Sequence, residues 1–201
     1  IIKGQVSLGS LRVRQDYLIA TGLLAPFDSE NSSNNSPLGD GGDKMLKMAL
    51  ARLKQLAAHE VGHTLGLMHN YASSVSNRAS VMDYPHPFVQ LTNGALDFSD
   101  AYDTKIGAWD EAAILYGYQD FVAGTDEESA LAAIIEETYT KKGLGFLADE
   151  EARPPGSAHP DAHLWDNGAD PVEELIEMKK VRNKALEAFG ENNIRAGMPM
   201  A

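Results

Sequence analysis

Eleven residues constrain this chain more than any others: His59-Glu60-Val61-Gly62-His63-Thr64-Leu65-Gly66-Leu67-Met68-His69. His59 and His63 are four residues apart, so on a helix they stand on one face, one turn apart. Two imidazole nitrogens bonded to one Zn²⁺ at about 2.0–2.1 Å need that placement. Glu60 adjoins the first histidine, close enough to a metal to handle water without being a ligand. Gly66 follows His63 by three residues. A glycine there can adopt a positive φ and end the helix. The chain then turns back and delivers His69 from outside the helix as a third ligand. A histidine pair on a helix is often just surface, but this stretch fixes several residue types at fixed offsets. Upstream, Met45, Leu46, Ala49, Leu50, Leu53, Leu56 and Ala57 recur at helical spacing among Lys44, Lys47, Arg52 and Lys54. That pattern predicts one amphipathic helix from about Lys44 to about Leu65.

The whole pattern, His59-Glu60-x-x-His63-x-x-Gly66-x-x-His69, resembles the elongated motif of the metzincin metallopeptidases. Their second mark is a methionine-containing turn beneath the metal. Ser80-Val81-Met82-Asp83-Tyr84-Pro85 is similar to it, with Met82 13 residues after His69. Ile106 to Gly117, ending Leu115-Tyr116-Gly117, resembles the helix that closes the C-terminal subdomain of matrixin-type members. More narrowly, HEVGHTLGLMHN followed by SVMDYPHP looks like a family of large bacterial zinc-dependent metalloproteases.

The resemblance implies an α+β fold: a metzincin-like zincin catalytic domain with a long active-site helix, an N-terminal sheet and a mainly helical C-terminal part. It implies Zn²⁺ held by His59, His63 and His69, with Gly66 and Met82 supporting the site. Glu60 is then the catalytic base, and the substrate is a peptide or protein. Tyr84 holds the place of a tyrosine that sits near zinc in some metzincins. It is either a donor to the oxyanion, a zinc ligand in the resting enzyme, or a packing residue. Resemblance also implies an extracytoplasmic address, periplasmic, surface or secreted. The expected parts are residues 1–69 (strand, surface loop, active-site helix), 70–120 (Met-turn and subdomain helix) and 121–201 (helical and loop extension). Metzincins place more sheet before the motif than 58 residues hold, which suggests an N-terminal truncation.

Composition narrows the function classes. A net charge of −12 repels phosphate backbones and anionic membranes, which argues against nucleic-acid binding. No apolar run reaches the roughly 18 residues of a membrane span. The chain has no cysteine, so it has neither disulfides nor thiolate ligands. Hydrophobic residues at 43% suffice for a buried core.

Elsewhere the sequence sets further expectations. Ile2, Gly4, Val6 and Leu8 alternate with Lys3, Gln5 and Ser7, the period of a strand. That strand is either a substrate-pairing sheet edge or an ordinary sheet member. Ser10 caps a short helix over Leu11 to Thr21, with Gly22 past its end. Pro26 to Asp43 reads as a polar surface loop. Asp100 to Gly117 reads as a helix with a stripe of Tyr102, Ile106, Trp109, Ala113 and Tyr116. Thr125-Asp126-Glu127-Glu128 is a capping box opening a helix to about Tyr139, with Gly143 beyond it. Asp170-Pro171-Val172-Glu173 opens the last helix, with Val172, Leu175, Ile176, Met178, Leu186 and Phe189 inward and Gly190 at its end.

Arg153 to Asp170 is irregular, and by resemblance its His-Pro and Leu-Trp-Asp stretch belongs to the catalytic unit. It carries His159 and His163, but Pro160 disfavours a helix presenting both to a second metal. Leu164 and Trp165 are expected to pack the loop on the body. His86, between two prolines, reads as structural or cleft-lining. Three functions fit the motif: a zinc endopeptidase, another zinc hydrolase or exopeptidase, and a catalytically silent metal-binding module. Glu60 speaks against the last.

Overall fold

The computed structural model describes residues 3–27, 39–157, 159–195 and 197–199. Its helices are α1 (Ser10–Leu24), α2 (Gly39–Thr64), α3 (Ala108–Tyr118), α4 (Glu127–Ile135), α5 (Asp149–Ala152) and α6 (Pro171–Ala188). A π-helical segment, Glu136–Lys141, continues α4, and a 3-10 turn covers Glu191–Asn193. Strands β1 (Gln90–Thr92) and β2 (Ala95–Asp97) form a two-stranded antiparallel sheet pairing Leu91 with Leu96. Asn93 and Gly94 both have positive φ, 54° and 78°, which matches the right-handed twist of a two-residue hairpin. No helix among the described residues is long and apolar enough to cross a membrane.

The chain divides into two compact units, neither continuous in sequence. One comprises Ile1–Val6, Leu56–His86 and Lys105–Pro171; the other comprises Ser7–Gln55, Pro87–Thr104 and Val172–Ala201.

The second unit packs Ala20 of α1, Met45 and Met48 of α2, Val89, Phe98, Ala101, Tyr102 and Val181 of α6 into one cluster. Arg52 and Asp16 are buried there with a 3.7 Å ion pair, and the Tyr102 hydroxyl donates to Asp16 at 2.7 Å. Burial pushes the Asp16 carboxyl above its ordinary range, while Tyr102 and Arg52 pull it back. The first unit has a smaller apolar core of Ala79, Val81, Met82, Trp109 and Leu144.

Several expectations change. Lys3–Gly9 forms no strand: it has no hydrogen-bonded neighbour strand among the described residues, and alternation without a partner makes no sheet. Ile2 lies outside the described residues. The described residues before α2 therefore contain no N-terminal sheet, and the hairpin falls after the motif. Helix α1 starts after Gly9 with no side-chain cap and runs through Gly22 to Leu24, ending at left-handed Ala25. Helix α2 begins at Gly39, inside the segment expected to be loop; residues 28–38 of that segment lie outside the described residues.

The buried face of α2 is Met45, Met48, Ala49, Arg52, Gln55 and His59, whereas Leu46 and Leu50 are exposed. Both sets have helical spacing; polar groups that find partners took the inner face. Helix α3 begins only at Ala108, and Tyr102 belongs to the other unit's core. Asp126, not Thr125, caps α4, accepting from the Ser129 backbone N–H. On α6 the buried residues are Val181 and Ala185, with Met178 packed beside them. Val172, Leu175, Ile176, Leu186 and Phe189 are exposed instead.

Removing the Arg52 charge takes the cationic partner from the buried Asp16 carboxyl and leaves it the Tyr102 hydroxyl. Arg52→Leu is expected to lower unfolding free energy by about 3–5 kcal/mol, measured by urea denaturation.

Candidate metal centre

The last turns of α2 carry His59, Glu60 and His63, and a Schellman turn ends the helix. The Gly66 N–H donates to the His63 carbonyl and the Leu67 N–H to the Gly62 carbonyl, both at 3.0 Å. Gly66 has φ 90°, a conformation that a side chain would strain. Three residues later His69 arrives beside the two helical histidines. The ring centroids are 4.7 Å apart for His59 and His63, 4.8 Å for His63 and His69, and 5.2 Å for His59 and His69.

The hydrogen bonds of the Nδ1 atoms fix what the Nε2 atoms are. His59 Nδ1 lies 2.7 Å from the Val81 carbonyl oxygen, and His63 Nδ1 lies 2.9 Å from that of Leu67. His69 Nδ1 lies 2.7 Å from Asp149 Oδ2. A carbonyl or carboxylate oxygen only accepts, so each Nδ1 carries a proton, and in the neutral imidazole each Nε2 is then a bare lone pair. Yet His63 Nε2 is 3.1 Å from His59 Nε2 and 3.2 Å from His69 Nε2. Two lone pairs at that distance cannot hydrogen-bond to each other; they can share a cation. A tetrahedral zinc with bonds of about 2.0–2.1 Å separates two nitrogens by about 3.3 Å, so this donor set fits that ion. Among the described residues, His59, His63 and His69 form the one group of His or acidic side chains close enough to hold a metal ion.

The loop Ser80–Pro85 supports the triad from below. Met82 is fully buried, and a Cβ on Gly62 would collide with its sulfur, so the thioether rests directly on the helix between the two histidines. Asp110 of α3, itself buried, holds the loop: it accepts from Ser80 Oγ at 2.6 Å, from the Val81 N–H at 2.8 Å and from the Gly107 N–H at 2.7 Å. Ser73 Oγ donates to the Ser80 carbonyl and accepts from its N–H. Asn70 donates through its backbone N–H to the Met82 carbonyl at 2.9 Å, and its side chain binds Gly145, Ala72 and Leu147 backbone groups. The residue after the third histidine is thus tied to the residue that packs on Gly62 of the helix.

Asp149 orients that third histidine. Besides His69, it accepts from the Tyr71 hydroxyl at 3.0 Å and pairs with Arg153 Nε at 3.0 Å. Burial pushes its carboxyl up, but the hydrogen bonds from His69 and Tyr71 and the Arg153 charge hold it below the usual range.

Tyr84 lies among these groups. Its ring is 4.6 Å from the His69 ring and stacks against His59 at 5.5 Å. Trp165 stacks on it at 5.4 Å and 14°, and the Trp165 N–H donates to the Tyr84 carbonyl at 2.8 Å. The Arg153–Asp170 segment therefore borders the triad. Glu60 is half-buried on α2 next to His59. His86 meets Asn167 within the same unit, with Nδ2 3.2 Å from its Nδ1. His163 Nε2 bonds the Pro160 carbonyl at 2.7 Å, and His159 Nδ1 accepts from the Asp161 N–H; the two do not join a metal group among the described residues.

Sequence reading missed Asp149, Asp110, Asn70 and Gly62. Asp149 stands 80 positions from His69 with no spacing to advertise it. Gly62 did carry a signal, since a glycine inside a helix costs about 1 kcal/mol against alanine and asks for a reason.

Two outcomes follow from this geometry. Asp149→Asn should weaken zinc binding about 10–100-fold, read by chelator competition, because the carboxylate orients and polarises the His69 imidazole. Burial, reinforced by the nearby Asp166 carboxylate, pushes Asp83 up to about 7 from its ordinary 3.8. The folded protein then holds this proton more tightly than the unfolded chain, so its contribution to stability is present at low pH and lost as pH rises through about 7. Melting temperatures across that range should fall less steeply in Asp83→Asn than in the wild type.

Residues 41–201 match the DUF4953 family, described as Met-zincin. No curated protein and no solved structure matches the chain. The family implies zinc, the ion that the histidine triad fits. With most of its length matched, the chain belongs to the Met-zincin family.

Proposed function

We propose that this protein is a zinc-dependent endopeptidase that hydrolyses peptide bonds with Glu60 as general base. The observation that supports the reading is the convergence of three Nε2 atoms, each on a ring whose Nδ1 faces an oxygen. His59, His63 and His69 would hold the metal, and three protein ligands are the number found in catalytic rather than closed structural zinc sites. Bound zinc would supply Lewis acidity toward a water and toward the substrate carbonyl.

The chain's own residues supply the rest. A Glu60 carboxylate oxygen takes the proton that the attacking water gives up and returns it to the leaving nitrogen. The loop that carries Met82 orients the His59 imidazole through the Val81 carbonyl, and Met82 packs against Gly62 on the helix between His59 and His63. The ring contacts of Tyr84 with His59 and His69 suit a phenol placed to donate toward developing negative charge on the substrate oxygen. Those same contacts also give Tyr84 a packing role.

Zinc content by elemental analysis and cleavage of a broad peptide mixture test the proposal. Wild type should bind one zinc and cleave. Glu60→Gln should keep the zinc and lose about 10²–10⁴-fold in rate. A zinc-loaded wild type that cleaves nothing, or a Glu60→Gln protein of unchanged rate, would sink it.

A further inference from the structure

Arg153 is a cation whose direction is set by three contacts that leave part of it open. Its Nε is committed twice, to Asp149 Oδ1 at 3.0 Å and to the Tyr71 hydroxyl at 3.3 Å. Its guanidinium carbon stands over the Tyr84 ring, 5.3 Å from the centroid. These three contacts fix the plane and direction of the group. The side chain is nonetheless half exposed. Its two terminal amino groups, which carry the other four N–H bonds of a guanidinium, make no hydrogen bond among the described residues.

Position gives this fork a meaning. Asp149, the partner of Arg153, is also the partner of the third histidine, His69. Tyr84, beneath Arg153, has its ring 4.6 Å from that of His69. The guanidinium therefore stands at most about 10 Å from the His69 ring, a span of about three residues of extended chain at about 3.3 Å each. A planar guanidinium with two parallel donors is the natural partner of a carboxylate, which it binds through two charge-assisted bonds.

We infer that Arg153 is a substrate-recognition residue that binds a carboxylate of the peptide within about three residues of the bond at the triad. This rests on the peptidase reading above. The carboxylate comes either from the peptide's C-terminus or from an Asp or Glu side chain. The chain's net charge of −12 does not oppose it, because salt screens distant charges beyond about 8–10 Å while the fork acts in contact. Asp149 does not satisfy the group either, since it takes only the Nε side.

The test uses oligo-alanine heptapeptides. One series carries Glu at each position in turn with an amidated C-terminus. A second carries Gln instead, amidated. A third is the Gln series with a free C-terminal carboxylate. Binding is measured calorimetrically on zinc-loaded Glu60→Gln protein, so no turnover is needed, with and without Arg153→Met. At least one carboxylate series should bind about tenfold more tightly than the amidated Gln series, and Arg153→Met should erase that preference while zinc content holds. Preference for the free C-terminus assigns the terminal carboxylate; preference for Glu at one position assigns a side chain.

Equal binding of all three series, or a preference that survives Arg153→Met, overturns the inference. So does a uniform loss of all binding together with zinc, which would make Arg153 only a brace for Asp149. Arg153→Lys guards against a folding defect: it keeps the charge without the fork and should retain a weaker preference for the same series. Failure of the peptidase reading shows separately, as wild-type protein that cleaves none of the peptides.

Discussion

Three imidazoles can face one another only if something on their far sides decides which nitrogen is bare. Here two carbonyl oxygens and one carboxylate do so, on Val81, Leu67 and Asp149. Each accepts a proton from Nδ1 and leaves Nε2 as a lone pair aimed at a common point. The triad is unfavourable by itself, because like dipoles converge. A cation reverses that sign, so the rest of the first unit serves to hold an arrangement that makes sense around a metal.

The three acceptors come from different places. Leu67 belongs to the turn that ends α2, so the partner of His63 is local. Val81 belongs to the methionine-containing loop, which Asp110 and Ser73 fasten through four hydrogen bonds. Asp149 comes from a short helix far along the chain. The turn, the loop and the distant acid each supply the acceptor for one ring. Buried polar residues such as Asn70, Ser73 and Asp110 are not an expense to be explained away here. Each is satisfied by backbone groups of the segments packed around the ligands.

The same carboxylate links the centre to its rim. Asp149 orients His69 with one oxygen and binds Arg153 and Tyr71 with the other. Tyr84 is held between Trp165 and the histidines, with the Arg153 guanidinium over its ring. Trp165 takes a positive φ of 62° to do this, an uncommon conformation for a bulky residue and one that costs of order 1–3 kcal/mol. An aromatic and guanidinium wall so close to three metal-competent nitrogens is where substrate selectivity would be built.

What the sequence determined by itself is whatever depends on short separations. The helix through residues 44–64, the facing of His59 and His63, and the turn at Gly66 all follow from local periodicity and from backbone freedom at one glycine. So does the opening of the last helix at Pro171. What only the tertiary structure decided depends on partners far apart along the chain: Asp149 for His69, Asp110 for the loop under the triad, Met82 for the space at Gly62. It also decided which of two equally periodic faces of α2 turned inward, and it left Val6 and Leu8 without a strand to join. Spacing encodes contacts within a turn or two of helix; it carries no record of which distant backbone or carboxylate will stand opposite, because that is fixed only when the packed elements satisfy each other's buried polar groups.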